Sequence, residues 1–137
     1  MINANELRIG NYINAYDGVG PKYMYKISAY DIDEIDGDGT DCFPIPLTPE
    51  ILEKCGFSQL THYTMHNSWR INIARYRVLS VACVGEPNEM IFLTEEKPPL
   101  VNDIICLKNY DYDGKTYLHQ LQNIYFALTN SELTFKL

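Results

Sequence analysis

Apolar and polar residues alternate along much of this chain, and a helical period replaces that alternation clearly in only two places. The second is the more informative. At about 100° per residue, Tyr117, Leu118, Leu121, Ile124, Tyr125 and Leu128 fall within about a third of a helix circumference, while His119, Gln120, Gln122 and Asn123 lie outside it. The spacing predicts a helix over about residues 116–128 that docks through one apolar face and is followed by a short alternating strand. Phe126 lies opposite the centre of that face, beside His119 and Gln122, where a large aromatic is unfavourable in water. Two readings follow: the N-terminal hairpin covers it, or it contacts another subunit or partner.

The first helical pattern is short and closed at both ends. Thr48 is placed as N-cap, Pro49 at the first helical position, Glu50 in the positive-dipole turn and Gly56 where a left-handed residue ends a helix. Leu47 can staple onto Leu52, and Phe57 can fold back on the same residue. A helix over residues 49–55 is expected, and its caps carry no chemistry.

The remaining pattern predicts strands. Leu7, Ile9 and Ile13 precede the turn Asp17-Gly18-Val19-Gly20-Pro21, and Tyr23-Met24-Tyr25-Lys26-Ile27 follows it, so the N-terminal part reads as a hairpin. Gly10 within the first strand suggests the opening of a small SH3-like barrel. Trp69, Ile71 and Ile73 alternate with polar neighbours, residues 78–84 and 90–93 flank a turn at residues 85–89, and residues 104–107 form a last apolar run. Pro98-Pro99 has no amide to donate and is expected to interrupt pairing. The fold class expected is α+β: an antiparallel meander with an N-terminal SH3-like hairpin or partial barrel, one short central helix, and a C-terminal helix followed by a short strand. The chain is expected to be a single domain over residues 1–137, divisible into sub-units 1–45 and 46–137, with Leu52, Phe57, Trp69, Leu121, Ile124 and Leu128 buried.

Composition adds limits. With 137 residues, 46% of them apolar, the chain can bury a core. A net charge of -7 disfavours non-specific attachment to nucleic acid or anionic membrane, which relies on clustered cations. Cys42, Cys55, Cys83 and Cys106 include no C-x-x-C pair, and no secretory or basic leader pattern opens the sequence, so reduced thiols in the cytoplasm are expected. No apolar run approaches the roughly 18 residues of a membrane span.

Asp31, Asp33, Glu34, Asp36, Asp38 and Asp41 place six carboxylates within eleven positions. An EF-hand loop needs oxygen ligands at its first, third and fifth positions, Gly at the sixth and Glu at the twelfth. Neither the register from Asp31 nor that from Asp36 satisfies this, so a solvated acidic loop is expected, with Asp36, Asp38 and Asp41 the candidate cation ligands.

No catalytic signature emerges. Cys83 and Cys106 lie in apolar runs and Cys55 ends a helix, where the dipole opposes a thiolate. His62 and His66 fall in a strand-like segment, about 13 Å apart along an extended chain, too far to share a zinc ion through that spacing. There is no P-loop, dinucleotide fingerprint or nucleophile elbow. No enzyme activity and no cofactor are expected. Eleven tyrosines give a rigid, amphipathic contact inventory, although β propensity alone favours tyrosine in strands. The candidate binding surface comprises Phe126, His119, Gln122, Tyr23 and Tyr25.

Three stretches together carry a resemblance: Asn5-Glu6-Leu7-Arg8-Ile9-Gly10-Asn11-Tyr12-Ile13, then Pro44-Ile45-Pro46-Leu47-Thr48-Pro49-Glu50-Ile51-Leu52 with Gly56-Phe57, and Leu118-His119-Gln120-Leu121-Gln122-Asn123-Ile124-Tyr125-Phe126-Ala127-Leu128-Thr129. They resemble a family of small uncharacterised proteins of Bacteroides-type bacteria, their phages and other mobile elements. That resemblance implies a small cytosolic accessory protein and assigns no activity or site residue. Where the family has Gly after the terminal Thr, this chain has Asn130, the next-best left-handed cap. The function expected is a non-enzymatic accessory or protein-binding module of a phage or mobile element, with an unidentified protein partner. The alternative is a nucleic-acid-associated module with an SH3-like N-terminal part, to which Arg70, Arg75 and Arg77 would contribute a local basic cluster.

Overall fold

The computed structural model describes residues 2, 6–16, 18, 23–29, 31, 41–59, 67–97, 100–108 and 113–136, with only the backbone described at Tyr23, Lys97 and 100–105. It has the expected α+β class, built on two antiparallel sheets of three and five strands with two helices among the described residues. The chain divides into two compact units: Met1–Pro46 with Tyr117–Asn123, and Leu47–Thr116 with Ile124–Leu137.

In the first unit, β1 (Tyr12–Tyr16) lies between β2 (Tyr23–Lys26) and β3 (Asp41–Phe43). Asn14 stands opposite Met24 on one side and Phe43 on the other, and Ala15 opposite Cys42. Because successive side chains point to opposite faces, this register separates two surfaces. Ile13, Ala15 and Cys42 are buried on one; Ile2, Ile27 and Leu7 join Ile13 and Cys42 in the core. The expected hairpin forms, but Leu7 and Ile9 precede it instead of opening its first strand. Gly10, at φ 94°, turns the chain there, its N–H donating to Ile27 O (2.8 Å) while Ile27 N–H donates to Asn11 O (2.8 Å). Only a glycine takes that backbone conformation without cost. No closed barrel forms among the described residues.

The second unit opens with α1 (Pro49–Lys54), which follows its sequence signature residue by residue. Thr48 Oγ1 accepts from Ile51 N–H (3.3 Å), Pro49 begins the helix, and Gly56, at φ 87°, ends it. Phe57 N–H reaches Leu52 O and Gly56 N–H reaches Glu53 O, both at 3.0 Å, which is the Schellman pattern. Leu52 is completely buried. Leu52→Ala should therefore lower stability by about 2–5 kcal/mol in chemical denaturation, through lost transfer energy plus the cavity left behind; a loss under about 1 kcal/mol would mean the site collapses around the smaller residue.

Five strands follow as a meander in sequence order: β4 (Ser58–Gln59), β5 (Trp69–Ala74), β6 (Arg77–Ala82), β7 (Met90–Lys97) and β8 (Leu100–Lys108). Trp69 pairs with Val81 and Val81 with Ile91, placing three buried side chains on one face. In β6 alternation disappears, since Val78, Leu79, Ser80, Val81 and Ala82 are all buried, so both faces of the central strand are covered. Pairing runs to Lys97 opposite Leu100; Pro98-Pro99, expected to interrupt pairing, lie outside the described residues.

The C-terminal helix, α2 (Leu118–Thr129), corrects the single-face reading. Leu118 and Leu121 are buried as expected, but so are His119 and Gln122, each at 1% exposure, whereas Ile124 is half-buried and Leu128 is 38% exposed. The first half of the helix belongs to the first unit and is buried on two faces; Gln122 enters the interior there because the backbone of that unit offers its amide partners. Asn130, at φ 54°, caps the helix as expected, with its N–H on Phe126 O at 2.7 Å. The expected terminal strand does not form: residues 131–136 lie outside both sheets, and Lys136 N–H donates to Lys54 O at the end of α1 instead of joining a strand edge.

Candidate functional site

Two of the sequence motifs meet in the first unit, and their meeting is structural. Gln122 Oε1 accepts from Tyr12 N–H (2.9 Å) and its Nε2 donates to Gly10 O (3.2 Å). Beside it, Asn123 Oδ1 accepts from Asn11 Nδ2 (2.9 Å) and Arg8 Nε (3.3 Å), while Asn123 Nδ2 donates to Glu6 O (3.0 Å). Asn11 is fully buried, and its Oδ1 accepts from Arg8 N–H (2.7 Å). Two amide side chains of α2 thus hold the turn that leads into β1. Backbone groups between Glu6 and Tyr12 that no strand pairs find their partners here, as buried polar groups must.

This corrects the assignment of Gln122 and His119 to a binding surface, because both are interior. His119 stacks on Tyr117 at 6.2 Å between ring centroids, and its Nε2 lies 3.7 Å from Glu6 Oε2. Phe126 is half-buried. Tyr25 is 37% exposed and its hydroxyl donates to Asp31 Oδ1 (2.9 Å); Tyr23 lies on β2, with its side chain outside the described residues. A helical wheel assigns polar residues to solvent, and it has no means of seeing that a turn far away in sequence needs two amides.

The outward face of the three-stranded sheet is a better surface. Register places Tyr12, Asn14 and Tyr16 of β1, Met24 and Lys26 of β2, and Asp41 and Phe43 of β3 on one side. Met24, Lys26 and Asp41 are exposed, and the three aromatic residues and Asn14 are half-buried. Lys26 Nζ lies 5.8 Å from the centroid of the Tyr12 ring, within reach of its negative face. Tyr16 stands directly across from Asp41. Aromatic rings, an amide and opposite charges on a pleated face can bind a ligand but include no nucleophile or paired acid and base. Period-2 alternation from Tyr12 to Tyr16 was the available signal, obscured by reading the first strand as starting at Leu7.

Of the acidic run, Asp33, Glu34, Asp36 and Asp38 lie outside the described residues, as do His62 and His66; Asp41 is exposed on β3. Among the described residues no group of three or more His, Cys, Asp or Glu is placed to hold a metal ion. Asp31 is used locally. It accepts from Ser28 Oγ and Ser28 N–H, the latter at 2.6 Å, and from Tyr25; the Ser28 hydroxyl, then the Ser28 amide, hold its carboxyl below the usual range. The reach back to an amide three residues earlier is one half of a capping box.

All four cysteines are free thiols; Cys55 ends α1 and Cys106 lies on a strand as expected, but neither Cys83 nor Cys106 is buried. Cys83 follows β6 in a turn, at φ 58°, and Cys106 on β8 is exposed; Cys42 and Cys55 are the buried pair. Burial pushes the Cys55 thiol up to about 12, and burial, then Asp41, raises that of Cys42. A maleimide at neutral pH should therefore label Cys106 first and leave Cys55 unmodified until the protein unfolds, as peptide mapping would show. Labelling of Cys55 at the rate of Cys106 would contradict its placement.

The basic residues are interleaved with acids. Arg70 Nη1 bonds both carboxylate oxygens of Glu96 at 3.0 Å, Arg77 pairs across the ladder with Glu95, and Arg75 lies over the Tyr76 ring at 5.0 Å. No helix among the described residues is long and apolar enough to cross a membrane. No protein-family model matches the chain, and neither a curated protein nor a solved structure matches it.

Proposed function

We propose that this chain is a non-enzymatic accessory module that binds another protein through the outward face of its three-stranded sheet. The observation that carries this reading is the side-by-side placement of Tyr12, Tyr16, Phe43 and Met24 on one pleated surface bordered by Lys26 and Asp41. Aromatic and methionine side chains supply much contact area at little conformational cost, and charged groups at a rim select the partner. The resemblance to small proteins of phages and mobile elements in Bacteroides-type bacteria supports a cytoplasmic accessory role, as do the absence of a catalytic motif and the overall acidity. The test compares affinity capture by the wild type and by Met24→Ser with Tyr16→Ser, in cells carrying the element, with melting temperatures matched. Loss of a specific captured protein by the double variant supports the reading; capture unchanged in identity and amount overturns it. A nucleic-acid-associated role is the alternative, tested by salt titration of binding to single- and double-stranded DNA, because phosphate contacts weaken steeply as salt rises.

A further inference from the structure

Resting on that reading, we propose that the occupant of this face is a basic segment of the partner, whose Lys or Arg side chains lie over the tyrosine and phenylalanine rings and pair with Asp41. The face already holds a cation in this manner: Lys26 Nζ sits 5.8 Å from the Tyr12 ring centroid. An aromatic ring carries negative density on its faces and attracts an ammonium or guanidinium placed above it, guanidinium more often because it sheds water more readily. Tyr16 offers a second ring, and the register puts the exposed carboxylate of Asp41 directly beside it, so one partner cation can meet ring and carboxylate together. Phe43 and Met24 flank Asn14 across the strands and give the aliphatic stem of a Lys or Arg an apolar floor.

Charge complementarity selects this occupant over a polyanion. The chain enters β3 directly from a run with carboxylates at Asp31, Asp33, Glu34, Asp36, Asp38 and Asp41, and its formal net charge is -7. A net negative charge draws basic segments and repels phosphates. Among the described residues, Lys26 is the one basic residue that the register places on the face, and its ammonium is already set over Tyr12.

The test uses the full-length protein and three fluorescent probes: a short alternating arginine–serine peptide, the same peptide with glutamate for arginine, and oligodeoxythymidine. Anisotropy should rise with the arginine peptide alone and fall as salt increases. Tyr16→Phe should retain the affinity, whereas Tyr16→Leu, similar in bulk without a ring, and Asp41→Asn should each weaken it about tenfold. Glu53→Gln, an exposed charge on α1, should leave it unchanged. Equal losses for Glu53→Gln and Asp41→Asn would reduce the effect to diffuse attraction by an acidic protein and overturn the proposal, as would binding of oligodeoxythymidine or no binding of the arginine peptide at low salt. If the peptide fails while Met24→Ser with Tyr16→Ser still loses the cellular partner, the protein-binding reading stands and only the basic chemistry falls. If neither experiment responds, both fall.

Discussion

Replacing Glu89 by Gln should lower stability by roughly 2–5 kcal/mol, read as an earlier midpoint in urea with little change of slope. Glu89 is completely buried just before β7, yet its carboxylate receives three donors: Gly85 N–H on Oε1 (3.2 Å), and Thr116 N–H (3.0 Å) and Thr116 Oγ1 (2.9 Å) on Oε2. Its own N–H donates to Gly114 O (3.3 Å). One side chain therefore ties the turn between β6 and β7 to the segment that precedes α2. A glutamine has the same shape but only one oxygen, and its amide must face a donor whichever way it is turned. At least one buried group is then orphaned, at about 1–3 kcal/mol each. Glu89→Leu, which leaves all three donors without the carboxylate, should cost more than Glu89→Gln. Losses under about 0.5 kcal/mol for both, the range of an ordinary surface change, would show that the carboxylate does not hold the turn.

Glu89 also marks the boundary of what the sequence discloses. Where structure depends on neighbours within a few residues, the chain spells it out: Thr48, Pro49 and Gly56 delimit α1, Asn130 ends α2, and alternation from Trp69 to Ile73 locates β5. The antiparallel meander follows from short connections between apolar runs. Where a residue answers a need elsewhere in the chain, local pattern misleads. Glu89 looks like a turn residue because its three donors come from Gly85 and Thr116, the latter 27 positions away. Gln122 looks solvated because the groups it satisfies lie 110 or more positions earlier. The outward face of the three-stranded sheet was half legible, as an excess of tyrosine. Its membership depended on register, and register depended on Gly10 delaying β1 until Tyr12.

The second large effect is expected at Gln122. Gln122→Leu preserves the length and approximate volume of a side chain that is 1% exposed, but it removes the acceptor for Tyr12 N–H and the donor for Gly10 O. Two backbone groups are left buried at the entrance to β1, and a loss of roughly 2–5 kcal/mol is expected in denaturant titration. Gln59→Leu, on the exposed strand β4, should stay within about 0.5 kcal/mol. A surface role for Gln122 predicts the reverse: unchanged stability and altered partner capture. The adjacent Asn123 allows a sharper measurement, because its Oδ1 accepts from Asn11 Nδ2 at 2.9 Å. Asn11→Ala and Asn123→Ala should each destabilise, and the double variant should fall short of their sum by about 0.5–3 kcal/mol, as residues sharing one network do. Strict additivity would mean that the turn before β1 holds itself and that α2 merely lies beside it. Coupling of the expected size would mean that the motifs at the two ends of the chain are one structural device, so that their residues should vary together and tolerate exchange only in pairs.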